Sequence, residues 1–70
     1  MLFGGENADS YHDEGLTAMM KGDLDRAIQF FSKATQMDKT HFGAFQQLGR
    51  CYLRLGQAQR AVDILWQVLS

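Results

Sequence analysis

The chain has seventy residues, seven Lys and Arg against eight Asp and Glu, and one cysteine, Cys51. The near-neutral balance, with no basic run and no aromatic-plus-basic alternation, argues against a nucleic-acid surface, and a single cysteine excludes an internal disulfide. No apolar stretch approaches the roughly 18 residues of a membrane span, MLFGGENADS lacks the positive flank and apolar core of a signal peptide, and the expected compartment is the cytoplasm.

Proline is absent, sustained period-2 alternation is absent, and apolar residues recur at spacings of three and four, so the expected fold is all-α. Residues 1–7 are expected to be a flexible leader. A first helix near 8–20 puts Tyr11, Glu14, Gly15 and Ala18 on one face. Asp9, Asp13 and Glu14 cluster near its start. An acid–base pair or a metal site is conceivable there, but favourable placement in the helix dipole explains the cluster more simply. Gly22 supplies a left-handed helix end. Asp23 is a plausible N-cap, with Asp25 in the following first turn.

A second helix near 24–37 puts Ala27, Phe30, Phe31 and Ala34 on one face. Gly15 and Ala27 are expected to let the two helices approach closely, with Tyr11 and Phe31 filling the wider ends. Thr40 or a neighbour opens a third helix near 41–55, carrying Phe45, Leu48, Gly49 and Tyr52, and Gly56 ends it. The fourth, near 58–69, carries Ala61, Ile64, Leu65 and Val68; Gln57 is a poorer cap than Asp23. The connections are short, so neighbouring helices are expected to be antiparallel. Cys51 reads as a packing residue, because a catalytic thiol needs a base and neither His12 nor His41 lies within five residues of it.

Shifted by 34 residues, the sequence overlays itself. Gly15 meets Gly49, Gly22 meets Gly56, Arg26 meets Arg60 and Ala27 meets Ala61. Tyr11 pairs with Phe45, Met19 with Leu53, Ile28 with Val62 and Phe31 with Leu65. Small and large apolar residues falling into one register mark two copies of one supersecondary unit.

This pattern resembles the tetratricopeptide repeat, a 34-residue helical hairpin with an aromatic, a Leu-Gly pair and a Tyr on its first helix, then Ala, Phe and Pro further on. Tyr11, Gly15, Ala27, Phe31 and Ala34 carry the resemblance in residues 8–41. Phe45, Leu48, Gly49, Tyr52 and Ala61 carry it in residues 42–70. The first unit departs at Glu14, where Leu is usual, at Ala18, where Tyr is usual, and at Lys39, where Pro is usual. Glu14 suggests a partly solvated face, and Lys39 a less stiff junction. In the second unit Val68 replaces an Ala.

The resemblance implies two tandem helical hairpins, four antiparallel helices forming a piece of α-solenoid, and a protein-interaction role with a protein or peptide as partner. It places the concave binding wall on the first helix of each hairpin. That wall holds Asp9, His12, Leu16, Met19 and Met20, then Gly43, Gln46, Arg50, Leu53 and Arg54. Leu16, Met19, Met20 and Leu53 are suited to apolar side chains, and Arg50 with Arg54, one turn apart, to a carboxylate. The plainer reading is that the methionines fill gaps and the arginines are solvated. The family's clamp for chaperone tails does not carry over, because His12, Leu16 and Gln47 stand in its polar positions.

The segment AVDILWQVLS ends short of a full second repeat. Its Val62, Leu65, Trp66 and Leu69 are expected to lie exposed and to drive self-association, unless the chain is a fragment of a longer protein or exchanges helices between copies. A structural homo-oligomer is therefore one alternative to peptide binding, and a regulatory appendage of a larger enzyme is another. No enzyme activity, cofactor or metal is expected. His12 and His41 read as isolated surface residues outside any HExxH spacing, and Gly4-Gly5 lies in no phosphate-loop pattern.

Overall fold

Caps and glycines set the element boundaries. The computed structural model describes residues 7–69, in which four helices follow one another: α1 (Ala8–Met20), α2 (Leu24–Met37), α3 (Phe42–Arg54) and α4 (Ala58–Leu69). Among the described residues there is no strand. All but Asn7 of the expected leader, and Ser70, lie outside the described residues. The side chain of Asn7 accepts a hydrogen bond from the Ser10 N–H at the start of α1, and Asp23 accepts from the Arg26 N–H at the start of α2. At α3 the cap is His41, whose Nδ1 accepts from the Ala44 N–H at 3.1 Å. Each satisfies one of the free donors of a first turn.

The two hairpin turns are built identically. Gly22 and Gly56 have φ of +79° and +76°, a region that costs glycine nothing. The Gly22 N–H donates to the Met19 carbonyl and the Asp23 N–H to the Ala18 carbonyl. The Gly56 N–H donates to the Leu53 carbonyl and the Gln57 N–H to the Tyr52 carbonyl. These are paired Schellman bonds, repeated 34 residues apart.

Between the hairpins, where Lys39 replaces proline, a different device ties the turn. Asp38 Oδ1 accepts from the Thr40 hydroxyl at 2.6 Å and from the Thr40 N–H at 2.9 Å. The Thr40 hydroxyl, and after it the Thr40 N–H, hold the Asp38 carboxyl below its ordinary value.

α1 packs on α2, α2 on α3 and α3 on α4, with α1 also touching α3. The result is a slab of 39 × 30 × 13 Å. Its core joins Ala18, Ala27, Phe31, Ala34, Ala44, Leu48 and Cys51. Phe31 does not fill a wide end, as expected from the sequence; its ring lies on Gly15, where an added Cβ would sit 2.5 Å from Cε1. Phe31 is wholly buried, worth roughly 1.5–3 kcal/mol of apolar transfer for such a side chain. Phe30, at the edge of the core, stacks on Tyr11 with ring centroids 6.3 Å apart.

The second hairpin is a looser copy. A Cβ on Gly49 would find only Ile64 Cγ2, at 4.0 Å, and Leu65, the counterpart of Phe31, is 56% exposed. α4 holds no fully buried residue.

Two outcomes follow. Gly15→Ala should lower the unfolding midpoint, because overpacking costs about 1–3 kcal/mol against about 1 kcal/mol gained in helix propensity. Gly49→Ala meets only an ordinary van der Waals contact with Ile64 and should raise the midpoint. Thermal melts followed by circular dichroism test the pair, and shifts of the same sign would contradict the asymmetry. Cys51 is fully buried, and that burial raises its thiol above the ordinary value, with Arg54 partly opposing. Alkylation by iodoacetamide at pH 8 should therefore be at least about tenfold slower in the folded chain than in urea; equal rates would contradict the burial.

Candidate partner-binding surfaces

α1 and α3 touch on one side of the slab, and the two helices carry charge of opposite sign. α1 carries Asp9, Asp13 and Glu14 with no Lys or Arg, while α3 carries Arg50 and Arg54 with no Asp or Glu. Met19, Arg50, Leu53 and Arg54 line a pocket of about 260 Å³. Arg50 and Arg54 are exposed and one turn apart. Three other cations lie over aromatic rings: Arg26 on Phe30, Lys33 on Tyr11 and Arg60 on Tyr52, at 5.8, 5.6 and 5.9 Å. Among the described residues, Arg50 and Arg54 form no ion pair and no ring contact. Their donors are available to a ligand carboxylate beside the apolar surface of Met19 and Leu53.

The remaining wall residues are distributed differently. Leu16 packs half-buried against the core. Met20 is 87% exposed and lies outside the pocket. Gln46 lines a separate groove between α3 and α4. Asp9 and His12 meet His41 across the start of the wall. The His12 and His41 rings are 5.0 Å apart, and His12 also packs against the Phe31 ring at 5.7 Å.

These histidines are distant in sequence but not isolated in the fold, a correction to the sequence reading. His41 Nδ1 accepts from the Ala44 N–H, so its Nε2–H donates to Asp9 Oδ1 at 2.7 Å. The pair ties the start of α1 to the cap of α3, giving His41 a structural task. Among the described residues, no group of three or more His, Cys, Asp or Glu is arranged to hold a metal ion. The separation of 32 residues hid this contact; only the 34-residue register, which brings the two first helices alongside, hinted at it.

The second concavity is a groove of about 410 Å³ between α3 and α4, with Phe42, Phe45, Gly49, Ile64, Leu65 and Val68 among its lining. Gln46 is the one polar side chain there. Of the four residues expected to be exposed on α4, all are: Val62, Leu65, Trp66 and Leu69, with Trp66 at 65%. Leu65 alone of them enters the groove. No described helix is long and apolar enough to cross a membrane.

Comparison with known proteins agrees with this architecture. BBSome complex member bbs-4 of Caenorhabditis elegans is 36% identical over 59 residues, which is 84% of this chain and 13% of that protein. BBSome complex member BBS4 of Bos taurus is 36% identical over 56 residues, 80% of this chain and 11% of that protein. The mitochondrial import receptor subunit TOM70 of Homo sapiens is 29% identical over 66 residues, 93% of this chain and 11% of that protein. The chain thus spans little more than a tenth of the length of each of these relatives. A family model described as tetratricopeptide repeat matches residues 18–70. With that match and two hairpins repeating the same turns 34 residues apart, the chain belongs to the tetratricopeptide repeat family.

Proposed function

We propose that the chain is a protein-interaction module that holds a peptide segment along the wall formed by α1 and α3. The observation that carries this reading is the pocket of Met19, Arg50, Leu53 and Arg54, where two uncommitted guanidinium groups flank apolar surface. The chemistry suits a segment with an acidic side chain next to an aliphatic one. The carboxylate takes the guanidinium donors and the aliphatic group rests on Met19 and Leu53, whose exposed surface is removed from water. Methionine adapts its shape to varied side chains, which favours a range of aliphatic residues at that position. The names of the relatives support a role exercised through other proteins, since two are members of a complex and one is a receptor subunit.

Association of copies through α4 is the second reading, favoured by the exposure of Val62, Leu65, Trp66 and Leu69. Solution mass measured across protein concentration separates the two.

The test of the wall uses fluorescent hexapeptides alternating Glu and Leu, or Lys and Leu, titrated into the chain by anisotropy. The acidic series should bind and the basic series should not. Arg50→Glu with Arg54→Glu should weaken the acidic series about tenfold or more, since each exposed charge-assisted contact contributes on the order of 1 kcal/mol. Helical content should stay unchanged. Equal binding by the double variant would remove the wall as the site.

A further inference from the structure

The imidazole of His41 can make its two bonds in one protonation state only. Nδ1 accepts from the Ala44 N–H at 3.1 Å, and Nε2–H donates to Asp9 Oδ1 at 2.7 Å. A neutral ring with its proton on Nε2 satisfies both, whereas a doubly protonated ring is a donor at both nitrogens and accepts nothing. The Ala44 N–H also donates to the His41 carbonyl at 3.1 Å, which holds it in place. A proton on Nδ1 would face that N–H, donor against donor, and the ring could not stay where it is.

The same ring joins the two hairpins. It belongs to the turn that opens α3, reaches Asp9 on α1, and lies 5.0 Å from the ring of His12, which rests in turn on Phe31. The His41 and His12 side chains are only 15% and 20% exposed, so water is poorly placed to solvate either as a cation.

The charges around His41 divide. Asp9, Asp38 in the preceding turn, and Asp13, 3.6 Å from His12 Nδ1, attract a cation. A protonated His12 repels one, and so does the positive end of the α3 dipole. The charged residues of α2 are placed elsewhere: Asp25 in its first turn, Arg26 over Phe30 and Lys33 over Tyr11. α3 bears no charge before Arg50. All three carboxylates lie on exposed residues, so their attraction is screened by water and salt. The clash at Nδ1 is a direct contact and is not screened.

We propose that His41 is a proton-operated latch between the two hairpins: neutral, it caps α3 and holds α1; protonated, it leaves both, and the first turn of α3 loosens. The signal is acid, over the range of about pH 8 to 5 in which histidine side chains ordinarily gain their charge. Asp38, whose carboxyl is held below its ordinary value, stays ionised across that range, so its tie to Thr40 takes no part in the change. The latch rests on these contacts alone and not on what the wall of α1 and α3 binds.

Nuclear magnetic resonance on the 70-residue chain tests it. At pH 8 the long-range nitrogen spectrum should show His41 protonated on Nε2 and bare on Nδ1, and the ring protons of His12 and His41 should cross-relax. At pH 5 the cross-relaxation should disappear. The helical Cα secondary shifts of Phe42, Gly43 and Ala44 should then fall by about half or more, as loss of a cap frays a first turn, while those of α2 hold. His41→Asn keeps a side chain that caps well and takes up no proton, so its first-turn shifts should be the same at both pH values. His12→Phe keeps a ring beside His41 and removes the second titrating group, so the change should persist. The nitrogen spectrum and shifts of the unaltered chain decide the case should His41→Asn fail to fold. Four results overturn the proposal: a proton on His41 Nδ1 at pH 8, first-turn shifts that are equal at pH 8 and pH 5, a change that survives in His41→Asn, or a change that vanishes in His12→Phe.

Discussion

The contact between Phe31 and Gly15 governs the molecule. A phenyl ring occupies the space that any side chain at residue 15 would need, and this fixes how closely α1 and α2 approach. Interiors are packed to crystal-like density, so one such fit constrains the placement of its neighbours. Ala27 and Ala34, small and wholly buried, sit on the same helix as Phe31. With the first hairpin set, the flank on which Ala44, Leu48 and Cys51 rest is defined, and α3 is positioned in turn.

The second hairpin keeps the turn chemistry and relaxes the packing. Gly49 preserves the opening, but Leu65 replaces the ring and leaves it partly empty. At this seat the two repeats differ by one side chain, phenyl in the first and isobutyl in the second. The slab is only 13 Å thick, so helices at its edges have a neighbour on one side only. Repeat architectures gain stability from such neighbour contacts, and α4, with no buried residue, is the helix with the most still to gain.

Much of this is legible in the sequence because it depends on residue type at fixed spacing. Gly22, Gly56 and Asp23 announce the helix boundaries, and the 34-residue register announces the stacking. The seat of Phe31 on Gly15 is not legible, since periodicity identifies a face but not which opposing residue a side chain meets. His41 as a cap is equally obscure: an imidazole serves only when its unprotonated nitrogen faces a free N–H, which depends on backbone geometry. Arg50 and Arg54 are legible as a pair, but their availability is not, because it depends on the fold bringing no carboxylate or aromatic ring within reach of them.

Asp23 serves two helices at once. Its N–H closes α1 on the Ala18 carbonyl, while its carboxylate and its carbonyl open α2 by accepting from the N–H groups of Arg26 and Ala27. Loosening the end of α1 therefore also loosens the beginning of α2, and neither can fray alone. The first hairpin should open as one cooperative foldon, its amides around the turn exchanging with solvent together rather than one by one.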